Sequence, residues 1–496
     1  VVRRFLVWPS ELIWPGILPS IALFRTLHEQ SSFNRHFQFF QMTRLNFFII
    51  VAACQTIYYW LPGYIMPILT AFSFICVIKP KNIILSQLTG VNSLGMGSLI
   101  IDWNVITSWL LTPIVVPRYA LFNMLFGFLI VIWILTPILY YTNIWNSKLF
   151  PVANTNLYTL NGVRYNMTAI LDKNFRLNKT AYEQYGPIHM TASAALSYGC
   201  LFALLTSLVI HTILYHGKDI LRHFRMSLFH RDNDIHCKLM AEYPEVPEWW
   251  YTILFIISFI AACIVCYLAK FMSWYYLFLV IPIAFIYILP AGIVVANTNQ
   301  FIDTNILIDF IGGILLLGNP IGFATFKAYD FMTHYQTLNL LLYLKLSHYM
   351  KIPPRAMFLT IIIGTIFCSV CSYSIANYLF TTIPNICTNV NQKWSCAQTH
   401  YSFSLAILWG AIGPTKIFGK NGLYSSLLWF FLIGGIVPVL FWMATQKYPK
   451  IKWFKYVHFP LMCYVAALVP VSVPAGIILS WLIIGFIFNS IIRRWW

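Results

Sequence analysis

The chain has 496 residues, of which 59% are hydrophobic, 18% aromatic and 9% charged. Soluble domains carry about a quarter charged residues, so a large water-soluble core is excluded. At roughly 20 apolar residues per crossing the chain holds about a dozen membrane spans. Its formal charge of +18 sits in short loops between apolar runs, where the excess of Lys and Arg on cytoplasmic loops explains it without nucleic acid. The apolar runs are long and continuous rather than alternating, so helices are expected and a closed barrel is not.

The first run, about 5–24, is interrupted by Pro9, Glu11, Pro15 and Pro19 and is expected to bend. Val1-Val2-Arg3-Arg4 enters it with no Met and no cleavable signal, which suggests sequence missing ahead of it. Loop 25–44 is basic and reads cytoplasmic. Residues 45–79, broken at Leu61-Pro62-Gly63, suit two short crossings or one kinked one. A Gly/Asn/Ser-rich stretch at 80–104 ends at Asp102-Trp103. The short apolar piece 105–118 reads as re-entrant, and 119–142 as a full span.

The longest polar insert, 143–189, holds two N-glycosylation sequons, at Asn166 and Asn178. Both in one loop argue for an exofacial loop, against its five basic and two acidic residues. A span at 190–215 leads to a mixed loop at 216–248, expected on the cytoplasmic side. Spans at 249–269 and 271–296 meet at Lys270. Segment 306–326 contains Asp309 and Leu317-Gly-Asn-Pro320, and 328–350 is amphipathic, with Asp330, His334, Lys345 and His348. After Lys351-Ile-Pro-Pro-Arg355 come a span at 356–380, a loop at 381–401, a re-entrant piece at 402–413, a span at 425–444 and a pair within 458–492. The expected fold is therefore one all-α polytopic membrane bundle over 1–496, with about 11–13 crossings.

Enzyme signatures for phosphate binding, zinc hydrolysis or a serine nucleophile are absent, and no enzyme or cofactor is expected. Cys263/Cys266 and Cys368/Cys371 have metal spacing but lie inside apolar runs, where they read as small packing residues. Cys387 and Cys396 sit in a polar loop and can form a disulfide if that loop is exofacial. The four His of 216–248 lack the spacing of a compact metal site.

Ionisable residues at membrane depth are costly unless they face a cavity or a partner. Five of the 14 acids lie in or beside spans: Glu11, Asp102, Asp303, Asp309 and Asp330. Asp309 is the first candidate to carry a coupling proton and Asp102 the second; a helix-packing acid is the alternative. Asn299 and Gln300, in Asn297-Thr-Asn-Gln300, have donors and acceptors for a zwitterionic solute, or simply cap helix ends. The broken segments Gly90–Gly97 and Leu317–Pro320 suit a cavity lining.

The stretch Lys345-Leu-Ser-His-Tyr-Met-Lys-Ile-Pro-Pro-Arg355 resembles the signature of the oligopeptide transporter family. Trp8-Pro-Ser-Glu-Leu-Ile-Trp-Pro15, Tyr243-Pro-Glu-Val-Pro-Glu-Trp-Trp-Tyr251, Asn297-Thr-Asn-Gln300, Trp409-Gly-Ala-Ile-Gly-Pro414 and Arg493-Arg-Trp-Trp496 match in family order along the whole chain. The resemblance implies a proton-coupled plasma-membrane symporter of small peptides, tetra- and pentapeptides or glutathione-like compounds, with a related branch carrying metal chelates. Lys351, Arg355 and His348 become candidates to meet a peptide carboxylate, with a cytoplasmic topology anchor as the alternative for Lys351 and Arg355. The family's N-terminal spans, its Asn-Pro-Gly motif and its last span have no counterpart. Its Pro-Gly-Arg-Pro turn reads Leu317-Gly-Asn-Pro320, Asp330 replaces a Gly, and Glu11 is an added acid. A truncated, non-transporting protein is the competing expectation.

Overall fold

A computed structural model describes residues 2–28, 43–79, 81–173, 175–227, 235–302, 305–388, 390–391 and 394–493. Asp303, Arg35, the central part of loop 25–44 and Arg494–Trp496 lie outside them. The N-terminal run is bent as expected. Helix α1 (Val2–Leu6) stops before Pro9, and α2 (Leu18–His28) comes after a tight turn at Pro15–Ile17. Helix α3 (Arg44–Trp60) is capped by the Thr43 hydroxyl, which accepts from the Asn46 amide, and widens into a π turn at Leu61–Ile65. Within 45–79 one helix, Arg44–Ile65 with its π turn, is long enough to cross a membrane, and among the described residues no second one follows it there. Beyond the π turn the chain is irregular, and it pairs Phe72–Ser73 with Ser98–Leu99 in a short antiparallel ladder.

Helix α4 (Trp103–Leu110) is only eight residues long, in keeping with a piece that does not span. Helix α5 (Arg118–Phe128) continues through a π segment to Tyr141. The long α6 (Ala192–Ser227) is the central post. Helices α7 (Glu248–Ala269) and α8 (Leu277–Thr298) are joined through Lys270, which adopts a left-handed conformation. Helix α9 (Asn305–Leu315) and α10 (Pro320–Met350) are separated by Gly318 at φ 85°, a left-handed position that glycine takes without strain. Asn319 then caps α10 through the Gly322 amide at 3.0 Å.

Pro354 sits at the first position of α11 (Pro354–Thr382), where a missing amide hydrogen costs nothing. Helix α12 (Ala397–Ala406) widens into a buried π turn at Ile407–Ile412 and stops at Gly413. Helix α13 (Trp429–Lys447), α14 (Phe459–Leu468) and α15 (Ala475–Ile487) complete the bundle.

Among the described residues, eight helices are long and apolar enough to cross a membrane. Helix α10, about 46 Å long at 1.5 Å per residue, is long enough as well but too polar to count among them. The further crossings of the 11–13 expected would have to be assembled from α9, α10, α12, α14 and the broken N-terminal run. Helix α11 exposes Ile363, Phe367 and Tyr373 by 66%, 69% and 75%, so its apolar surface is left uncovered by the described residues and suits lipid.

Among the described residues the interior gathers into two large hydrophobic cores and a small cluster of Cys200, Ala466 and Ala467. One gathers Leu6, Trp14, Leu121, Ile302, Leu338, Leu341 and Trp481. The other gathers Ile306, Phe323, Phe326, Trp409, Phe418 and Tyr424. Helix α10 contributes Phe323 and Phe326 to the second core and Leu338 and Leu341 to the first. Its middle turns therefore lie where the two cores meet.

Candidate functional site

Polar groups are concentrated at that seam. Helix α10 turns Asp330 and His334 inward, at 4% and 6% exposure. The amphipathic pattern at 328–350 is thus reversed from that of a surface helix, because its polar residues join the buried stripe Phe326–Asp330–His334–Leu338 at helical spacing. Beside it, α8 ends in Asn299, left-handed at φ 61°, and the chain runs buried through Gln300 and Ile302 toward α9. Phe301 packs on Tyr335 at 5.9 Å, so the unwound link lies alongside the His334 turn.

Asn299 and Gln300 are 2% and 1% exposed, yet neither side-chain amide has a hydrogen-bond partner among the described residues. A buried amide left in that state costs about 1–3 kcal/mol for each unsatisfied group. Gly16 holds the N-terminal turn against this amide; a Cβ there would collide with the Asn299 Oδ1. The turn is fixed by the Trp14 amide donating to the Ala296 carbonyl at 2.8 Å.

Asp309 lies on α9 in the second core, and its carboxylate is met by Lys327 on α10. The Lys327 Nζ stands 2.7 Å from Oδ1 and 2.9 Å from Oδ2. Lys327 escaped the sequence reading because it falls between two apolar segments taken as 306–326 and 328–350. The signal that finds it is its place three residues before Asp330, one helical turn away. Asp102 is elsewhere: it caps α4, its Oδ1 accepting from the Asn104 amide at 2.9 Å, beside the first core.

The family-like stretch at the far end of α10 is tied to backbone. Lys345, 1% exposed, donates to the carbonyls of Val7 and Pro9 at 2.8 and 3.1 Å. Lys351 Nζ lies 2.7 Å from His236 Nδ1 and donates to the His348 carbonyl at 3.0 Å. Arg355 donates to the Glu245 carbonyl at 3.2 Å. His348 is buried 3.9 Å from the Cys237 thiol. These residues clamp the 235–248 segment to α10 and do not join the seam. The histidines of 216–248 disperse likewise: His216 lies near His211, His236 near His348, and His223 and His230 have no described side chains. Among the described residues, no group of three His, Cys, Asp or Glu is placed to hold a metal.

At the opposite end, 143–189 folds over the bundle. Trp145 packs on Tyr424 at 5.3 Å, and Lys416 Nζ sits 4.9 Å from the Tyr182 ring centroid. Asn166 and Asn178 are both exposed, and their Oδ1 atoms accept from the hydroxyls of Thr168 and Thr180 at 2.7 Å. Cys387 and Cys396 are disulfide-bonded, with Cα atoms 4.8 Å apart. His189, stacked on Phe150 at 5.5 Å, has its imidazole pushed below its ordinary pKa by burial.

The chain is thus a polytopic α-helical membrane protein with a buried polar layer between two cores and broken helices on either side of it. The family model described as OPT oligopeptide transporter protein matches residues 1–496, and the chain belongs to that family. It is 35% identical over 500 residues to Oligopeptide transporter 7 of Arabidopsis thaliana, covering all of this chain and 65% of that protein. It is 36% identical over 516 residues to Oligopeptide transporter 1 of the same plant, covering all of this chain and 67% of that protein. The chain therefore spans about two thirds of the length of these relatives.

Proposed function

We infer that this chain is a secondary transporter that carries small oligopeptides across a membrane together with protons, with the polar layer at Asn299, Gln300, Asp330 and His334 as its substrate site. The observation that carries the reading is the pair of buried amides, without a hydrogen-bond partner among the described residues, where the chain leaves α8. Amide donors and acceptors held ready in this way match the alternating N–H and C=O groups of a peptide backbone. Helices broken near the midplane at the junction of two packed units are where carriers of this kind bind solutes. The names of the relatives point the same way, and no cofactor enters the scheme beyond the proton as coupling ion.

The plasma membrane is the expected location, with 143–189 and the Cys387–Cys396 loop outside and 235–248 inside. Glycosidase treatment that shifts the wild-type band, and leaves that of an Asn166→Gln/Asn178→Gln variant unmoved, supports this orientation. For the function itself, a labelled tetrapeptide is offered to cells expressing the chain at acidic and at neutral external pH. Faster uptake at acidic pH is expected. No uptake by protein verified in the membrane contradicts the reading and favours a truncated, non-transporting chain. Competition by metal chelates that outruns competition by peptides would instead favour chelates as the substrate.

A further inference from the structure

We propose that Lys327 is the docking cation for the carboxylate end of the transported peptide, and that this carboxylate takes Lys327 from Asp309, which accepts the coupling proton in exchange. The inference rests on the reading of the chain as a peptide carrier and names the group that joins substrate to proton.

The starting geometry is an ion pair whose two members sit on different helices. Lys327 Nζ lies within 2.9 Å of both Asp309 oxygens, and the Asp309 side chain is 8% exposed and that of Lys327 23%. The lysine is thus the more accessible member, the one an incoming anion reaches first. Aromatic rings surround the acid's helix: Phe310 lies 5.3 Å from Trp409 and 5.2 Å from Phe202, and Trp409 lies 5.8 Å from Tyr198.

Lys327 from α10 and Tyr198 from α6 are among the groups that face Asp309. The 407–412 turn brings no titratable side chain, and Lys416 after it is engaged over Tyr182. On α10 itself the next charged residue is Asp330, one turn along. The two partners sit on opposite sides of the Gly318 break, where the chain takes a left-handed conformation at φ 85°.

An isolated charge in such surroundings is costly, so the pair opens only when each member finds a substitute. The charge balance fixes what those substitutes are. Before exchange the ammonium and carboxylate sum to zero. Afterwards the ammonium pairs with the peptide carboxylate, and an external proton forms an O–H bond on Asp309, leaving a neutral acid. One proton therefore enters with each peptide carboxylate, and the local charge is again zero. A permanent structural brace, the competing account, makes no such demand on the substrate.

The test compares one labelled tetrapeptide with a free and with an amidated C-terminus, in membranes containing the full chain. The wild type is expected to carry the free acid about tenfold or more faster than the amide, the scale of one charge-assisted hydrogen bond. Lys327→Gln should remove that preference by slowing the free acid alone. Asp309→Asn should keep the preference in peptide-for-peptide exchange while losing stimulation by acid. Equal transport of acid and amide by the wild type overturns the proposal while leaving the carrier reading intact. Acid-stimulated uptake that survives in Lys327→Met/Asp309→Leu overturns it as well, in favour of the brace. Uptake of neither peptide by the wild type overturns the carrier reading first, and this proposal with it. The wild-type comparison of acid and amide decides even where a variant fails to reach the membrane.

Discussion

The two ends of α10 both bury polar residues, yet they do so under opposite rules. Toward Met350, Lys345 is 1% exposed and its ammonium is met by the carbonyls of Val7 and Pro9. Toward Pro320, Lys327 is met by an acid that can itself change charge, and the amides of Asn299 and Gln300, in the stretch beside the same helix, are met by nothing described. Backbone carbonyls cannot be titrated or moved without unfolding the chain, so the first arrangement serves stability. A side-chain acid and unpartnered amides can exchange partners, so the second is suited to a solute. Buried charge alone does not mark a site; what satisfies it does.

The largest effect expected at the fixed end is that of Lys345→Met, which strands two buried carbonyls. A loss of about 2–4 kcal/mol should result, read as a lower melting temperature of the detergent-solubilised protein. A variant as stable as the wild type would erase the contrast between the two ends. Gly16→Ala comes next, because the added methyl meets the Asn299 amide; about 1–3 kcal/mol is the usual scale of such overpacking. Its melting temperature should fall, and a simultaneous Asn299→Ala should restore much of it.

The effect of pH is smaller. Burial holds the His189 imidazole below its ordinary value of 6.5, so the unfolded loop binds the proton that the folded loop refuses. The contribution is fully present above that ordinary value and is lost as the pH falls through it, at no more than about 1.4 kcal/mol per pH unit. Protection factors in 143–189, referred to the intrinsic exchange rate at each pH, should fall on acidification, and His189→Phe should flatten that dependence. Smallest is Arg4→Ala, which removes an exposed ion pair to Glu248 at 3.2 Å. Such pairs contribute about 0–1 kcal/mol, and a larger fall in melting temperature would make the N-terminal contact a part of the core.

Much of the fold is legible in the sequence, since long apolar runs at membrane depth admit helices alone. The bend at Pro9–Pro19 and the short α4 are set by proline and length. The site is only partly legible. Asn299 and Gln300 stand out as a polar run between two apolar segments, but the absence of partners is a tertiary fact. Lys327 is lost because a hydropathy boundary falls on it, while its spacing to Asp330 places both within one turn. The inward turn of Asp330 and His334 contradicts the simplest reading of an amphipathic helix, and only the two cores flanking α10 explain it. Asp102 shows the converse: an acid followed by Trp-Asn at the start of a short apolar piece is a helix cap, a pattern as local as the hydrogen bond that it makes.

The central claim is that the seam amides are kept for a solute at the expense of stability, and Gln300→Leu tests it most directly. Replacing an unpartnered buried amide by an apolar side chain of similar size should leave the melting temperature unchanged or raise it, by about 1 kcal/mol or more of stability. In the same cells, tetrapeptide uptake at matched surface levels should fall at least about tenfold. Unchanged uptake in a folded Gln300→Leu protein would contradict the account and place the substrate elsewhere.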